Sequence, residues 1–248
     1  MKLLGFALIS LALGATSAFA HGPRVPRDLK NVHRIVCMGD SITQMGDSEG
    51  GHGYVRLIRL KLQGLFPDHG FEVINVGIGG QKAPDMLARW QRDVLDKHPD
   101  LVTLSVGIND VWHGFYGHPA GDGPNGVPID LYRQDVTQMI ESALAAHIQV
   151  VLVSPTVIQE NADSAENVKL QGYVDAEREI AKRHHIKFID LHATFLDELS
   201  KLRTGKYDKV RHLTTDGVHM KPAGDALMAS TILTSLGINN RDLGEIAH

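Results

Sequence analysis

The sequence predicts an α/β protein, a three-layer α/β/α sandwich around a five-stranded parallel sheet in the order 2-1-3-4-5. Two observations carry that expectation. Short apolar runs rich in Val, Ile and Leu recur at residues 32–38, 71–76, 101–106, 148–153 and 186–189, each of strand length. Most of the segments between them are longer and place apolar residues three and four apart, the mark of a helix with one buried face. Strands alternating with such helices form a parallel sheet covered on both sides, and right-handed crossovers put every strand-to-helix loop on one rim.

The first twenty residues stand outside this pattern. Lys2 is their only charge, residues 3–13 are mostly apolar, and Ala18-Phe19-Ala20 is a small-x-small cleavage site. They read as a secretory signal peptide cut before His21, which makes the protein exported, to the periplasm or the medium. The apolar run is short for a membrane-spanning helix. Residues 21–248 are enough for a single domain with a sizeable core.

The first strand ends at Gly39-Asp40 and delivers Ser41 to the rim. Residues 44–53 follow as a loop holding four glycines, and Tyr54, Leu57, Ile58, Leu62 and Leu65 then mark the first helix. The second strand runs into Gly77-Ile78-Gly79-Gly80, and Met86, Leu87, Trp90 and Val94 mark the second helix. The third strand is followed directly by Gly107-Ile108-Asn109-Asp110, then by a long Gly/Pro-rich loop at residues 113–128. Ile129, Tyr132, Val136, Met139, Ile140 and Ala143 form the third helix. A polar helix at 165–184 separates the last two strands, and a short helix is expected at 195–202. Pro222 suits the first turn of a final helix, where a missing N–H costs nothing, and Gly237 suits its end.

Composition excludes several classes of function. The net charge of −4 and the lack of basic runs argue against a nucleic-acid partner or a membrane surface. Cys37 is the only cysteine, so no internal disulfide forms, and its place in a strand makes it a small buried hydrophobe. Of the fourteen histidines, His147, His184 and His185 fall at helix ends, where a cation is favourable without any metal. A copper site at His21-Gly22 would lack a second identifiable ligand. No G-x-G-x-x-G dinucleotide fingerprint is present, so neither metal nor cofactor is expected.

The chemistry-bearing residues fall at the loop ends that the topology brings together. A serine hydroxyl is a weak nucleophile until an adjacent base takes its proton, and that base needs a third group to fix its tautomer. Asp216 and His219 lie three apart across a turn containing Gly217, a spacing that lets the carboxylate reach one imidazole nitrogen and leaves the other facing outward. The N–H of Ser41, the N–H of Gly80 and the amide of Asn109 would give three donors to an oxyanion. Gly77 and Gly79 share the turn with Gly80 and stay open as alternative donors.

At these positions the sequence resembles the SGNH (GDSL) hydrolases. Gly39-Asp40-Ser41-Ile42-Thr43 is similar to the family's first block, residues 75–80 to its second, Gly107-Ile108-Asn109-Asp110 to its third and Asp216-Gly217-Val218-His219 to its last. The resemblance implies that Ser41 is the nucleophile, His219 the base, Asp216 its orienting partner, and Gly80 and Asn109 the rest of the oxyanion hole. It also implies a serine esterase working through an acyl-enzyme, and exported members with this pattern deacetylate carbohydrates. Trp112, Phe115 and Tyr116, in and beside the long loop, offer an aromatic platform for a sugar. The alternatives are a lipid-directed esterase, lysophospholipase or thioesterase, and a non-catalytic carbohydrate-binding protein that keeps the fold.

Overall fold

A computed structural model describes residues 23–47, 52–202 and 210–244. The expected signal peptide and the His21-Gly22 pair lie outside the described residues. In chain order the elements are β1 (Arg34–Met38), α1 (Ser41–Met45), α2 (Tyr54–Leu65), β2 (Glu72–Asn75), α3 (Ala83–Asp93), β3 (Leu101–Ser105) and α4 (Ile108–Trp112). They continue with α5 (Ile129–Ala145), β4 (Gln149–Val153), α6 (Ala165–His184), β5 (Lys187–Ile189), α7 (Leu191–Leu202), α8 (Pro222–Ser235) and α9 (Asn240–Leu243).

The strands form one parallel sheet in the order β2-β1-β3-β4-β5, as the alternating pattern implies. β1, β3 and β4 are central and almost wholly buried, which is why their sequences are continuous apolar runs and not alternating ones. The edge strands β2 and β5 are short and partly exposed. α2 packs against α8, and α7 against α8; α3 packs against α5, and α5 against α6. Chain reversal at β1 explains the split: the step from β1 to β2 runs in the opposite sense to all later steps, so right-handed crossovers place α2 on one face and α3, α5 and α6 on the other.

Four elements depart from the sequence reading. Residues 41–45 are helical, so the loop after the first strand begins later than expected. α4 replaces a simple turn after β3, and α7 starts at Leu191, its buried side formed by Leu191, His192, Phe195 and Leu199. α1 and α4 are single turns, too short to show a 3.6-residue period in the sequence. A further short helix, α9, follows the one that Pro222 opens.

Glycines let these turns pack. A Cβ on Gly39 would lie 2.0 Å from Thr43 Oγ1, and one on Gly77 would lie 2.2 Å from the Gln44 backbone nitrogen. The turns after β1 and β2 therefore both pack directly on α1, the second of them against its backbone.

Burial beneath the rim leaves several carboxyls in poor solvent. Asp40 caps α1 by accepting the Ile42 N–H at 2.9 Å, and Asp110 accepts the Ala83 N–H at 2.9 Å. Burial raises Asp40 to about 6 and Asp110 to about 7, outweighing the backbone N–H groups that favour each charged form. A folded-state pKa above the unfolded value of about 3.9 means that the native chain holds a proton which the unfolded chain has lost. The stability this group contributes is fully present below the unfolded pKa and is lost as pH rises through about 7. Asp110→Asn keeps the acceptor for Ala83 and removes the titration. Urea unfolding between pH 4 and 8 should show the variant gaining on the wild type by up to about 1.4 kcal/mol per pH unit until the profiles run parallel above about pH 7. Parallel profiles throughout would contradict burial as the cause.

Candidate active site

Ser41 is the first residue of α1, directly after β1. The chain folds this way because Gly39 admits the tight approach to Thr43 while Asp40 supplies the helix cap. Ser41 Oγ lies 2.9 Å from His219 Nε2, and His219 Nδ1 lies 2.6 Å from Asp216 Oδ2. The carboxylate fixes the imidazole proton on Nδ1, which leaves the Nε2 lone pair to accept the serine hydroxyl. The structure thus brings together three of the residues singled out in the sequence, two of them 178 positions apart.

Asp216 does more than hold the ring. Its Oδ1 accepts the N–H of Val218 at 3.0 Å and of His219 at 2.8 Å, so the carboxylate also builds the turn that carries the histidine. Partial burial disfavours its charge, but the hydrogen bonds from the His219 ring and from these two N–H groups outweigh it and hold the carboxyl at about 2. It stays ionised at neutral pH. Gly217 sits at φ +106° in the turn, where a side chain would be strained.

The donors on the other side of Ser41 sort themselves by what already occupies them. The Gly77 N–H is taken by Asn75 Oδ1 at 2.8 Å and the Gly79 N–H by Gln44 Oε1 at 2.9 Å. The Gly80 N–H has no acceptor among the described residues, and Gly80 adopts φ +76° in an exposed turn. This loop abuts the serine: a Cβ on Gly79 would stand 3.7 Å from Ser41 Cβ. Asn109, in α4, is buried and donates one amide hydrogen to Gln81 O at 3.0 Å, which orients the side chain. Its second hydrogen has no protein acceptor among the described residues.

Arg89, which the sequence reading passed over, ties these loops from below. Its buried guanidinium donates to Gly39 O at 3.0 Å and to Val76 O at 2.6 Å, bonds the Gln81 side chain, and pairs with Asp93 at 2.9 Å. One cation therefore fixes the loops after β1 and β2 and the segment that holds Asn109. On the sequence it looks like an ordinary polar residue on an amphipathic helix, so no pattern could have marked it.

Trp112 and Tyr116 stand beside the histidine. The Trp112 ring lies 6.5 Å from the His219 ring at 73° and 5.6 Å from Tyr116 at 72°. His113, not expected here, joins them with its ring 5.0 Å from Tyr116. Burial lowers the His113 pKa, with the nearby Lys82 charge adding to it, so the ring favours its neutral form. Phe115 departs from the expected platform. Its ring covers Gly121, where a Cβ would lie 2.4 Å from it, and Lys169 Nζ sits 5.9 Å from the ring centroid. The long loop is folded upon itself, with Gly123 N–H bonded to Gly114 O at 2.9 Å and Val127 N–H to Asp110 O at 2.9 Å. Phe115 is the apolar residue that this packing consumes.

A model of the GDSL-like lipase/acylhydrolase family matches residues 37–227, an interval that contains all four blocks. An acetylxylan esterase of Geobacillus stearothermophilus is 30% identical over 213 residues, covering 82% of this chain and 94% of the relative. A crystal structure of an acetylxylan esterase from that organism superposes with a TM-score of 0.72 at 28% identity, covering 84% of this chain and 95% of the other. A further acetyl xylan esterase of known structure is 32% identical with a TM-score of 0.72, covering 82% and 98%. The isoamyl acetate-hydrolyzing esterase 1 homolog of Rattus norvegicus is 24% identical, covering 79% and 78%. With this fold, these four blocks and these relatives, the chain belongs to the GDSL-like lipase/acylhydrolase family and is a carboxylic ester hydrolase.

Proposed function

We propose that the protein removes acetyl groups from carbohydrate, xylan-type chains above all, by a serine mechanism centred on Ser41. The observation that carries this reading is the hydrogen-bonded sequence from Ser41 Oγ to His219 Nε2, 2.9 Å, and from His219 Nδ1 to Asp216, 2.6 Å. In the first step Ser41 Oγ bonds to the ester carbonyl carbon while its proton passes to His219 Nε2. The carbonyl oxygen becomes an oxyanion and takes hydrogen bonds from the N–H of Ser41, the N–H of Gly80 and the Asn109 amide. The tetrahedral centre collapses, and the sugar oxygen leaves with the proton from His219. Water then attacks the acetyl-serine, gives its proton to His219, and acetate departs as Ser41 is reprotonated. Asp216, ionised at neutral pH, stabilises the imidazolium that forms in each half.

Support for a carbohydrate comes from the names of the relatives and from Trp112 and Tyr116 beside His219, where an amphipathic ring can lie along a sugar. We further propose that residues 1–20 direct export and are removed, so that amino-terminal sequencing of the exported protein begins at His21; a mature protein still starting at Met1 would contradict it.

Acetate release from acetylated xylooligosaccharide tests the reading. Ser41→Ala should abolish it while far-UV circular dichroism stays unchanged, and Asn109→Ala should lower kcat by about 10²–10³ with little change in KM. A Ser41→Ala variant with wild-type turnover would overturn the mechanism. A change in KM alone at Asn109 would make that residue a ground-state contact.

The aromatic pair gives a separate expectation. Trp112→Ala and Tyr116→Ala should each raise KM for the acetylated oligosaccharide by about five- to tenfold, the worth of one aromatic contact of roughly 1–1.4 kcal/mol. Turnover of p-nitrophenyl acetate, whose leaving group is small, should change little. Phe115→Leu should leave the ratio of the two activities unaltered. Equal losses on both substrates would show that the pair supports the fold and not the sugar.

A further inference from the structure

The turn bearing Asp216 and His219 is gripped from behind by the loop that follows β4. Two consecutive residues there, Gln159 (φ +65°) and Glu160 (φ +50°), lie in the left-handed region without being glycine. Such backbone is costly and persists only where its surroundings fix it. Asn167 of α6 does so. Its amide bonds Ile158 N–H at 2.9 Å, Ile158 O at 2.6 Å and Asn161 O at 2.6 Å, closing the loop on both sides of the strained pair.

What the strain achieves is the placement of Glu160. The residue is 1% exposed, and its carboxylate faces the backbone that leads to the Asp216 turn. Oε2 accepts the His212 N–H at 2.8 Å. Oε1 accepts the Leu213 N–H at 2.9 Å, the Thr214 N–H at 2.5 Å and the Thr214 hydroxyl at 2.6 Å. Gln159 adds the far side: its N–H donates to Gly217 O at 2.8 Å, and its Oε1 accepts from Arg211 Nη2 at 3.0 Å. The grip therefore falls on residues 211–214 and on Gly217, flanking Asp216. Four donors converge on this one carboxylate, three on Oε1 and one on Oε2, and a neutral amide cannot accept all four because its NH₂ would face a donor.

We propose that Glu160 is a positioning residue for hydrolysis: its carboxylate fixes residues 212–214 so that the following turn presents His219 at hydrogen-bonding distance from Ser41. This rests on the reading that Ser41 and His219 carry the reaction. Glu160 touches neither and acts only through where His219 stands.

A double-mutant cycle tests it, with p-nitrophenyl acetate as substrate. Glu160→Gln should lower kcat at least tenfold, leave KM within twofold and keep a cooperative unfolding transition above the assay temperature. Added to His219→Ala, which has already lost the base, the same change should leave residual turnover unaltered. A role in the fold alone would lower both backgrounds by the same factor, and that result, or a kcat within twofold of wild type, would overturn the proposal. Should Glu160→Gln not fold, Thr214→Val removes one of the four hydrogen bonds and carries the same cycle, with an expected loss of about threefold confined to the His219 background. Ser41→Ala is the control. If it keeps wild-type turnover, the site itself is misread; if it is inactive and the cycle is additive, only the positioning role fails.

Discussion

The structure is organised around one hydrogen bond, between Ser41 Oγ and His219 Nε2 at 2.9 Å. Its two ends come from opposite ends of the chain, so its length depends on everything between. A shift of a few tenths of an ångström in either part changes whether a proton can pass. On the serine side the position is rigid. β1 is held between β2 and β3, and α1 starts at the end of that buried strand with backbone packed on both sides. On the histidine side there is no central strand. The turn at 214–219 hangs on an isolated bridge from Thr214 to Met220, on the Asp216 carboxylate and on the loop after β4. Side-chain hydrogen bonds there do what the sheet does for Ser41.

The aspartates show how environment sets the role of one residue type. Asp216 is partly solvated and accepts three hydrogen bonds, and its carboxyl is held at about 2. Asp110 is buried, accepts the Ala83 N–H and is pushed up to about 7 by desolvation. The first is a fixed negative charge beside an imidazole. The second is a neutral linchpin between α3 and α4 below neutral pH, gaining charge as pH rises through about 7. Neutrality at Asp110 matters to its neighbour, because a second anion next to Asn109 would oppose an oxyanion forming there.

Much of this was legible in the sequence, and for identifiable reasons. Central strands covered on both faces must be apolar throughout, so β1, β3 and β4 stand out from any other arrangement. Ser41, Asn109 and the Asp216–His219 pair sit beside glycines at strand ends or turns, where backbone geometry leaves a mark in the composition. Single-turn helices such as α1 and α4 leave no period to read. Phe115 looked equivalent to Trp112 and Tyr116, but a platform and a loop core both call for an aromatic, and only packing against Gly121 separates them. Arg89 and Glu160 were invisible because each works through backbone carbonyls or N–H groups of segments remote in sequence, which no motif records. The left-handed pair Gln159 and Glu160 carries no compositional signal either, since neither is Gly, Asn or Asp.

If His219 makes Ser41 the nucleophile, that one hydroxyl should react selectively with an electrophile that mimics an ester. The direct measurement is peptide mapping by mass spectrometry after treatment with a fluorophosphonate, on the wild type and on His219→Ala. The expected result is a single adduct per chain on the peptide containing Ser41, formed at least a hundredfold more slowly in His219→Ala. An adduct on any other residue, or equally fast labelling of Ser41 without His219, would contradict it.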